Sequence, residues 1–257
     1  MDKASVGGVL LAVVGIIAGL LIEGGNLGQV LQPTAALIVF GGTMGAVLVQ
    51  FPLTTVVSAF RNLIHVFAAQ RKQNDSLIRL LVNFANKARR SGVVSLDSDL
   101  NSITDPFLKQ AVMLAVDGTE PAELRKIMRV NLDTISEHAD RLPAVFESAG
   151  GFSPTIGILG AVLGLIQVMQ HLDNIQEVGR GIAVSFVATI YGVGAANLFF
   201  LPFAGKMRLK QRDDHLRREM MLEAVISILE GMNPRMLEVK LAGFLKDASQ
   251  PKRERAA

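Results

Sequence analysis

The sequence contains no cysteine among its 257 residues. This absence excludes disulfide bonds, thiol catalysis and metal sites built on cysteine. The histidines, His65, His138, His171 and His215, are scattered without the spacing of metal ligands. Neither a nucleophile triad nor a glycine-rich phosphate loop after a strand is present. The sequence therefore predicts no cofactor, no metal site and no enzyme.

Charged residues are also few. They make up 19% of the chain, with 26 Lys and Arg against 23 Asp and Glu. The resulting net charge of +3 is too small to indicate a nucleic-acid partner. Half of the residues are hydrophobic, only 5% are aromatic, and the mean hydropathy is +0.38. This balance is more typical of a membrane protein that crosses the bilayer several times than of a soluble protein.

Four long runs of the sequence contain no Asp, Glu, Lys or Arg. Each is about long enough to cross the roughly 30 Å hydrocarbon layer as a helix. We therefore predict transmembrane helices at about 4–22, 33–51, 152–172 and 181–203. The first run lacks the cleavage pattern of a signal peptide, and we expect it to be retained as a span.

The spans divide the chain into two transmembrane hairpins and two soluble segments. We predict a first hairpin over 4–60, a helical domain over 61–147, a second hairpin over 148–205, and C-terminal helices with a tail over 206–257. The segment 61–147 carries 12 Lys or Arg and 11 Asp or Glu, which is typical of a soluble domain. The fold class is therefore all-α, a polytopic membrane protein with four transmembrane helices and a mostly helical soluble domain.

The distribution of positive charge predicts the orientation. The loop 23–32 has no Lys or Arg, and the loop 173–180 has only Arg180. Basic residues flank the opposite ends of the spans: Arg61, Arg71, Lys72, Arg141, Lys206, Arg208, Lys210 and Arg212. Because positively charged loops stay in the cytoplasm, we expect both termini and the 61–147 domain there.

Local patterns predict helices in the soluble domain. Apolar residues at helical spacing predict one helix over 76–90 and another over 121–141. Asp105 and Pro106 have the residue types of an N-cap followed by a proline in the first turn. A further helix is therefore expected to begin at Pro106.

Prolines mark two places in the second hairpin. We expect a break at Gly150-Gly151, after which Ser153 and Pro154 begin the third span as its N-cap and first helical residue. Pro202, near the end of the fourth span, removes one helical hydrogen bond and is expected to bend the helix. The bend is either a static kink or a moving hinge.

Small residues follow one side of the third and fourth spans, and such faces let helices approach closely. No ionisable Asp, Glu, Lys or Arg lies inside any span, although ion pathways normally contain one. Either the protein moves no ions, or a partner inserts a carboxylate against these small, hydroxyl-bearing faces. The faces consist of Gly157, Gly160, Ala161 and Gly164 in the third span and Ser185, Ala188, Thr189, Gly192 and Ala196 in the fourth.

Two segments resemble the signatures of a known family. Residues 152–165, FSPTIGILGAVLGL, are similar to the third span of the MotA/PomA flagellar stator proteins, and residues 187–197 with Leu201-Pro202 are similar to the fourth. The segment 230–235 and the order of two spans, a large soluble loop, two spans and a basic tail support the match. The chain is identified as a member of this family over nearly its whole length.

The resemblance implies an ion-conducting stator subunit of the flagellar motor in the bacterial inner membrane. In that family several copies, a pentamer by analogy, surround a single-span MotB-type partner that supplies a membrane aspartate and is anchored to peptidoglycan. Ion passage past the aspartate drives rotation, and the cytoplasmic loop pushes on the rotor protein FliG. The implied partners are the MotB-type protein, FliG, further copies of this chain and membrane lipid.

The same resemblance assigns roles inside the membrane. Pro154 and Pro202 match the two functional prolines of the family. Thr189 matches the fourth-span threonine near the ion path, and Thr155 and Ala161 are assigned to the same path. Ala161 stands where sodium-driven relatives tend to have a threonine, and the lost oxygen weakens a site for a hard cation. We therefore expect protons to be the coupling ion.

The charged loop also acquires a role through the resemblance. From charge alone, Arg89 and Arg90 with Asp97 and Asp99 form a solvated face of a soluble loop. By resemblance, Arg89 matches the rotor-facing arginine better than Arg90 does. Asp97 stands where the family usually has glutamate, which keeps the charge but shortens its reach.

Two other readings remain open at this point. An ExbB/TolQ-type energiser shares the ring architecture, but such proteins usually have one N-terminal span, whereas this chain has a hairpin of two. A passive membrane scaffold would use the small-residue faces only for assembly, and it would tolerate bulky, packing-compatible changes at Thr189. Both rivals explain the sequence less completely than a stator subunit.

Overall fold

The computed structural model describes residues 3–66 and 74–247, and within these ranges every regular element is a helix, so that the predicted all-α fold is confirmed. Arg71, Lys72 and the tail from 248 to 257 lie outside the described residues. In chain order the helices are α1 (Lys3–Ile22), α2 (Leu27–Val30), α3 (Pro33–Gln50), α4 (Leu53–Val66), α5 (Asn74–Ser91), a 3₁₀ helix (Val93–Ser102), α6 (Pro106–Val116), α7 (Pro121–Gln170), α8 (Ile175–Leu229) and α9 (Pro234–Asp247).

The chain divides into two compact units. The first consists of Met1–Ala69 and Asp140–Leu209, and the second of Gln70–Ala139 and Lys210–Ala257. We call the first the membrane unit, because it holds all the long apolar runs, and the second the charged unit. Helices α7 and α8 contribute residues to both.

Within residues 3–66 and 74–247, four helices are long and apolar enough to cross a membrane, as the sequence predicts. The mean hydropathy is 2.6 over Ala4–Ile22 and 1.5 over Pro33–Gln50, and the apolar windows of α7 and α8 reach 1.8 and 1.7. Large apolar side chains in these helices are exposed, Leu11 by 76% and Val49 by 91%. Since each helix satisfies its own backbone hydrogen bonds, these side chains can face lipid. The protein is thus a multi-pass membrane protein.

Helix α7 runs without interruption from Pro121 to Gln170, with Pro154 in its interior. The expected break at Gly150-Gly151 is therefore wrong, and so are the expected roles of Ser153 as an N-cap and of Pro154 as a first helical residue. A proline inside a helix removes one backbone donor and crowds the preceding turn, which tertiary packing can offset. Here the Ser153 hydroxyl is used for a contact with α8 instead of a cap.

Helix α8 begins earlier than the predicted start of the fourth span at 181. The Asn174 side chain caps it by accepting a hydrogen bond from the Gln176 amide at 3.1 Å. Most of the predicted polar loop is therefore the first two turns of α8, which contain Glu177 and Arg180. Only the short segment 171–174 connects α7 to α8.

Two of the membrane helices contain a π-helical turn. One covers Leu37–Gly41 in α3 and the other covers Ala195–Phe200 in α8. In a π turn the amide bonds five residues back, as the Leu201 amide does to the Ala196 carbonyl, so the helix accommodates one extra residue. Pro202, which cannot donate a backbone hydrogen bond, follows the second π turn almost directly.

The charged unit has its own hydrophobic core. Helix α5 buries Leu77, Leu81, Phe84 and Ala88, and this confirms the helix predicted over 76–90. The predicted cap of α6 is also confirmed, because Asp105 accepts hydrogen bonds from the two amides that follow Pro106. Side chains of the 3₁₀ helix, α6, α7, α8 and α9 complete the core, among them Leu96, Leu108, Leu124, Met128, Met221, Ile226, Leu237 and Leu241.

A carboxylate with two cationic partners links three helices of the charged unit. Glu223 of α8 accepts hydrogen bonds from Arg125 of α7 at 2.9 Å and from Lys240 of α9 at 2.5 Å. Lys240 also donates to the Ser227 hydroxyl at 3.0 Å. Partial burial by itself raises the pKa of the Glu223 carboxyl, but the hydrogen bonds and charges of Lys240 and Arg125 outweigh it and lower the pKa below 4.5.

Candidate functional site

The small residues of α7 and α8 form a close helix–helix contact in the membrane unit. A Cβ atom added at Gly164 would lie 2.3 Å from the Ser185 hydroxyl oxygen, and one added at Gly160 would lie 2.9 Å from the Ala188 Cβ. At Gly157 an added Cβ would lie 2.9 Å from the Ala188 carbonyl oxygen. The close approach predicted for these faces is confirmed, and glycine is needed at each of the three positions.

A buried polar contact lies on the same helix–helix contact. The Ser153 side chain is fully buried and donates to the carbonyl oxygen of Gly192 at 2.9 Å. A Cβ added at Gly192 would lie 2.6 Å from the Ser153 carbonyl oxygen and 3.2 Å from the Pro154 Cα. The backbones of the two helices are therefore held together where Pro154 interrupts the hydrogen bonding of α7.

The residues assigned to the ion path lie around this contact with different exposures. Thr189 is half-buried and donates to the Ser185 carbonyl at 3.2 Å. Thr155 is exposed and donates to the Phe152 carbonyl at 2.8 Å, and Ala161 is half-buried. Both hydroxyl protons are therefore used within their own helices, and each oxygen keeps lone pairs that can accept a hydrogen bond.

No metal site accompanies these residues. Within 3–66 and 74–247 no group of three or more His, Asp or Glu side chains is arranged to hold a metal ion. The apolar stretches of the spans hold hydroxyl, amide and imidazole groups but no Asp, Glu, Lys or Arg. The arrangement can accept or donate a hydrogen bond to a group brought in from outside, but it supplies no carboxylate of its own.

Comparison with known proteins identifies the family. A model of the N-terminal region of motility protein A matches residues 6–92, and a model of the MotA/TolQ/ExbB proton channel family matches residues 99–220. Motility protein A of Bacillus subtilis (strain 168) is 36% identical over 247 residues, which are 95% of this chain and 91% of that protein. The chain belongs to the motility protein A family.

Solved structures of this family's stator complexes have the same fold. The structure of C. jejuni MotAB aligns with a TM-score of 0.90 at 33% identity and covers 100% of this chain and 99% of that chain. The flagellar MotAB stator complex from Bacillus subtilis aligns with a TM-score of 0.86 at 33% identity, and the alignment covers 97% of this chain and 100% of that chain. The family membership and the membrane fold predicted from the sequence are confirmed.

The residues that the family resemblance assigns to the rotor lie on either side of the turn between α5 and the 3₁₀ helix. Arg89 and Arg90 are exposed in the last turn of α5, and the chain then turns at Gly92, whose φ is +80°. Asp97 is exposed on the 3₁₀ helix, which packs against α5. Among the described parts of the chain, none of these three charges forms an ion pair.

One member of the predicted charge cluster has a different role. Asp99 accepts from the Lys87 ammonium at 2.6 Å, and Lys87 also donates to the Ser98 hydroxyl at 2.9 Å. These bonds hold the 3₁₀ helix to α5. Asp99 therefore connects the two helices, and Asp97 is the exposed carboxylate of the cluster.

Sequence reasoning missed two polar features of the membrane unit. The Tyr191 hydroxyl donates to the Val30 carbonyl at 2.7 Å and accepts from the Gln32 amide at 3.3 Å, so it fixes α8 to the start of α3. The one signal for this role is that Tyr191 is the single tyrosine of the chain. The second feature is a cavity of about 560 Å³ lined by Gln167, His171, Glu177 and Arg180, in which His171 Nε2 lies 3.4 Å from Glu177.

Proposed function

We propose that this chain is the ring-forming, ion-conducting subunit of a bacterial flagellar stator, which couples inward ion flow to torque on the rotor. The observation that carries this proposal is the similarity over the whole chain to MotAB stator complexes, with a TM-score of 0.90. The proposed work is transport and mechanical coupling, without an enzymatic step. Several copies, a pentamer by analogy, surround a MotB-type partner in the inner membrane.

The missing carboxylate explains why a partner is needed. The apolar spans of this chain contain no Asp, Glu, Lys or Arg, and an ion crossing the hydrocarbon layer needs a polar group to receive it. A MotB-type single-span protein anchored to peptidoglycan supplies an aspartate against the α7 and α8 faces. The ring then moves relative to that fixed aspartate.

Thr189 is proposed as the group that meets the aspartate. When the aspartic acid is protonated, it donates to the Thr189 oxygen, whose own proton is already used on the Ser185 carbonyl. When it is ionised, rotation of the Thr189 side chain lets the hydroxyl donate to the carboxylate. Thr155 and Ala161 extend the same path, and Pro154 and Pro202 are the proposed hinges.

The coupling ion is proposed to be the proton. A sodium ion that loses its water needs several oxygen ligands in return. Ala161 offers no side-chain oxygen, whereas a proton needs only the carboxylate that binds it. The family model that matches residues 99–220 is also described as a proton channel family.

On the soluble side, we propose that Arg89 and Asp97, with Arg90 beside them, contact the rotor protein FliG. Their exposure and their lack of ion-pair partners in the described residues support this role. The contact requires the charged unit and both termini to be cytoplasmic, which the distribution of Lys and Arg supports. Membrane lipid surrounds the ring.

The main rival is an ExbB/TolQ-type energiser, since the family model at 99–220 includes that group. The N-terminal model specific to motility protein A, which matches 6–92 and includes the first hairpin, favours the stator. A passive scaffold is the other rival. It predicts that Thr189 can be replaced without any loss of ion flow.

Reconstitution into liposomes tests the proposal. Liposomes that contain the chain with its partner are expected to acidify inside under an imposed proton gradient without sodium. Liposomes with the chain alone, or with a partner whose membrane Asp is replaced by Asn, should show no proton uptake. Thr189→Val, which keeps the shape of threonine but lacks the hydroxyl, is expected to lower the flux strongly, and Thr189→Ser is expected to retain it. Full, selective conduction by the chain alone would overturn the proposal, and unchanged flux in Thr189→Val would support the scaffold.

A further inference from the structure

Two cavities lie side by side between α1 and α8 in the membrane unit. One has a volume of about 340 Å³ and is lined by apolar residues, including Val13 and Ile17 of α1 and Tyr191 of α8. The other has a volume of about 270 Å³ and is lined by Ser5, Gly8 and Lys206, among others. Leu198 lines both, and we call the two neighbouring cavities together the α1–α8 groove.

The α1–α8 groove is charged at one end and apolar at the other. Lys206 lies at the end of the fourth apolar run and donates a hydrogen bond to the Ser5 hydroxyl at the start of the first. Moving away from Lys206, the lining changes from Ser5 and Gly8 to Val13 and Ile17. A lysine at this depth extends its ammonium group toward the headgroup layer while its stem stays in apolar surroundings.

The groove is open space and not a contact between side chains. A Cβ added at Gly8 would meet no atom within 4 Å. The space is also narrow, because an α-helix with its side chains is about 10–12 Å across and would not fit cavities of 270 and 340 Å³. An extended hydrocarbon chain is narrow enough to fit.

From this polarity and width we infer that the α1–α8 groove binds an anionic phospholipid, with an acyl chain between Gly8 and Ile17 and the phosphate paired with Lys206. Pairing of an anionic headgroup with one Lys or Arg beside a membrane span is worth about fivefold in affinity, and Lys206 is the basic residue that lines the groove. A zwitterionic lipid would fill the same space without this preference. The inference needs only the membrane unit and does not depend on the stator function.

Spin-labelled lipids provide the test. The full-length chain is reconstituted in phosphatidylcholine, and electron paramagnetic resonance measures the immobilised fraction of spin-labelled phosphatidylglycerol and of spin-labelled phosphatidylcholine. We expect the wild-type chain to prefer phosphatidylglycerol about fivefold. Lys206→Gln should remove the preference, whereas Arg212→Gln should keep it, because Arg212 is on the same helix but lines neither cavity.

A second pair of variants tests the acyl-chain site without changing charge. Gly8→Leu fills the groove and should lower the immobilised fraction of both lipids. Gly15→Leu adds the same side chain on α1 at a position where a Cβ also meets no atom within 4 Å but which lines neither cavity, and it should match the wild type. Circular dichroism confirms that each variant is folded.

Three results would overturn the inference. The first is no lipid preference in the wild-type chain, and the second is an equal loss of preference in Lys206→Gln and Arg212→Gln. The third is a cysteine crosslink from position 8 to α8 of a neighbouring chain, because that would show that a second copy fills the groove. None of these results depends on a partner, on ion flow or on rotation, so failure here is distinguishable from failure of the proposed function.

Discussion

The hydroxyl of Ser153 donates to the carbonyl oxygen of Gly192 at 2.9 Å, between two helices that each carry apolar runs long enough to span a membrane. This bond occurs at a close approach of the two backbones. A Cβ at Gly192 would meet the Ser153 carbonyl at 2.6 Å and the Pro154 Cα at 3.2 Å, and both of these are backbone atoms that a rotamer change cannot move. The contact therefore depends on glycine at 192.

Gly192→Ala is predicted to push α7 and α8 apart. Inserting a methyl group into a packed contact destabilises a protein by about 1–3 kcal/mol. We expect a lower Tm of the full-length chain in detergent and less assembled oligomer on size-exclusion chromatography. Gly194→Ala is the matched control, because a Cβ there meets no atom within 4 Å, and its Tm should equal or exceed that of the wild type. Equal Tm values for both variants would contradict the close contact.

Pro154→Ala is predicted to stop rotation without unfolding the protein. Alanine restores the amide that bonds the Gly150 carbonyl, so the helix becomes locally more stable and less able to bend. We expect a normal oligomer, a Tm at or above that of the wild type, and no swimming on soft agar.

The control for this variant is Pro143→Ala, which restores an amide in the same helix outside the apolar run. Cells that carry it should swim. Normal swimming of Pro154→Ala cells would show that Pro154 is not needed for rotation.

The sequence was sufficient for features with local causes. The runs without charge predict the spans, because a charge in the hydrocarbon layer is costly wherever it occurs. The cap at Asp105 is equally local, since its oxygen binds amides two and three residues away. The family signature at 152–165 supplied the identity, because glycines at that spacing are needed for the contact with α8.

Features that depend on distant partners could not be predicted. Ser153 and Pro154 have the residue types of a helix start, yet packing against Gly192 keeps α7 continuous through them. The π turns have no local sequence signal. Tyr191 donates a hydrogen bond to the Val30 carbonyl, which is distant in sequence. Lys87 donates to Asp99, which lies within reach because the chain turns at Gly92.

The double variant Arg89→Glu with Asp97→Lys is predicted to impair swimming while membrane insertion and assembly stay normal. It reverses the sign of both exposed charges at the proposed rotor contact without changing the net charge. We expect swimming close to that of cells without a stator, measured by tracking single cells.

Arg79→Glu with Asp75→Lys is the matched control, because it makes the same exchange of charges at two exposed positions of α5, the helix that carries Arg89. It should leave swimming unchanged. Normal torque in the Arg89 and Asp97 variant would remove both residues from the rotor contact.

Glu223→Gln is predicted to destabilise the charged unit in a pH-dependent way. The pKa of Glu223 is lowered in the folded protein, so the stabilisation is fully present above the ordinary value of 4.5 and is lost as the pH falls through the folded pKa. At pH 7 we expect the free energy of unfolding to fall by about 1–2 kcal/mol. This is at the low end of the range for hydrogen bonds to charged groups, because Arg125 and Lys240 are about one-third exposed to solvent.

Circular dichroism at 222 nm on the full chain, at pH 7 and at stepwise lower pH, measures this effect. The Tm difference between wild type and Glu223→Gln should shrink as the pH falls below 4.5. Glu238→Gln, an exposed carboxylate on α9, should show no such difference at any pH. A Tm difference for Glu223→Gln that stays constant down to acid pH would show that its charge is not what stabilises the three helices.

The π turn at Ala195–Phe200 determines where the fourth span can lose a codon. Successive residues of an α-helix are rotated by about 100°, so loss of one codon from the α-helical part before this turn would rotate every downstream side chain of the span by that angle. Loss of one codon within the turn would instead remove its extra residue and convert it to α-helix, so that Pro202 keeps its azimuth and Lys206 still reaches Ser5 of α1. A single-codon deletion is therefore tolerated best at the one irregular stretch of this helix.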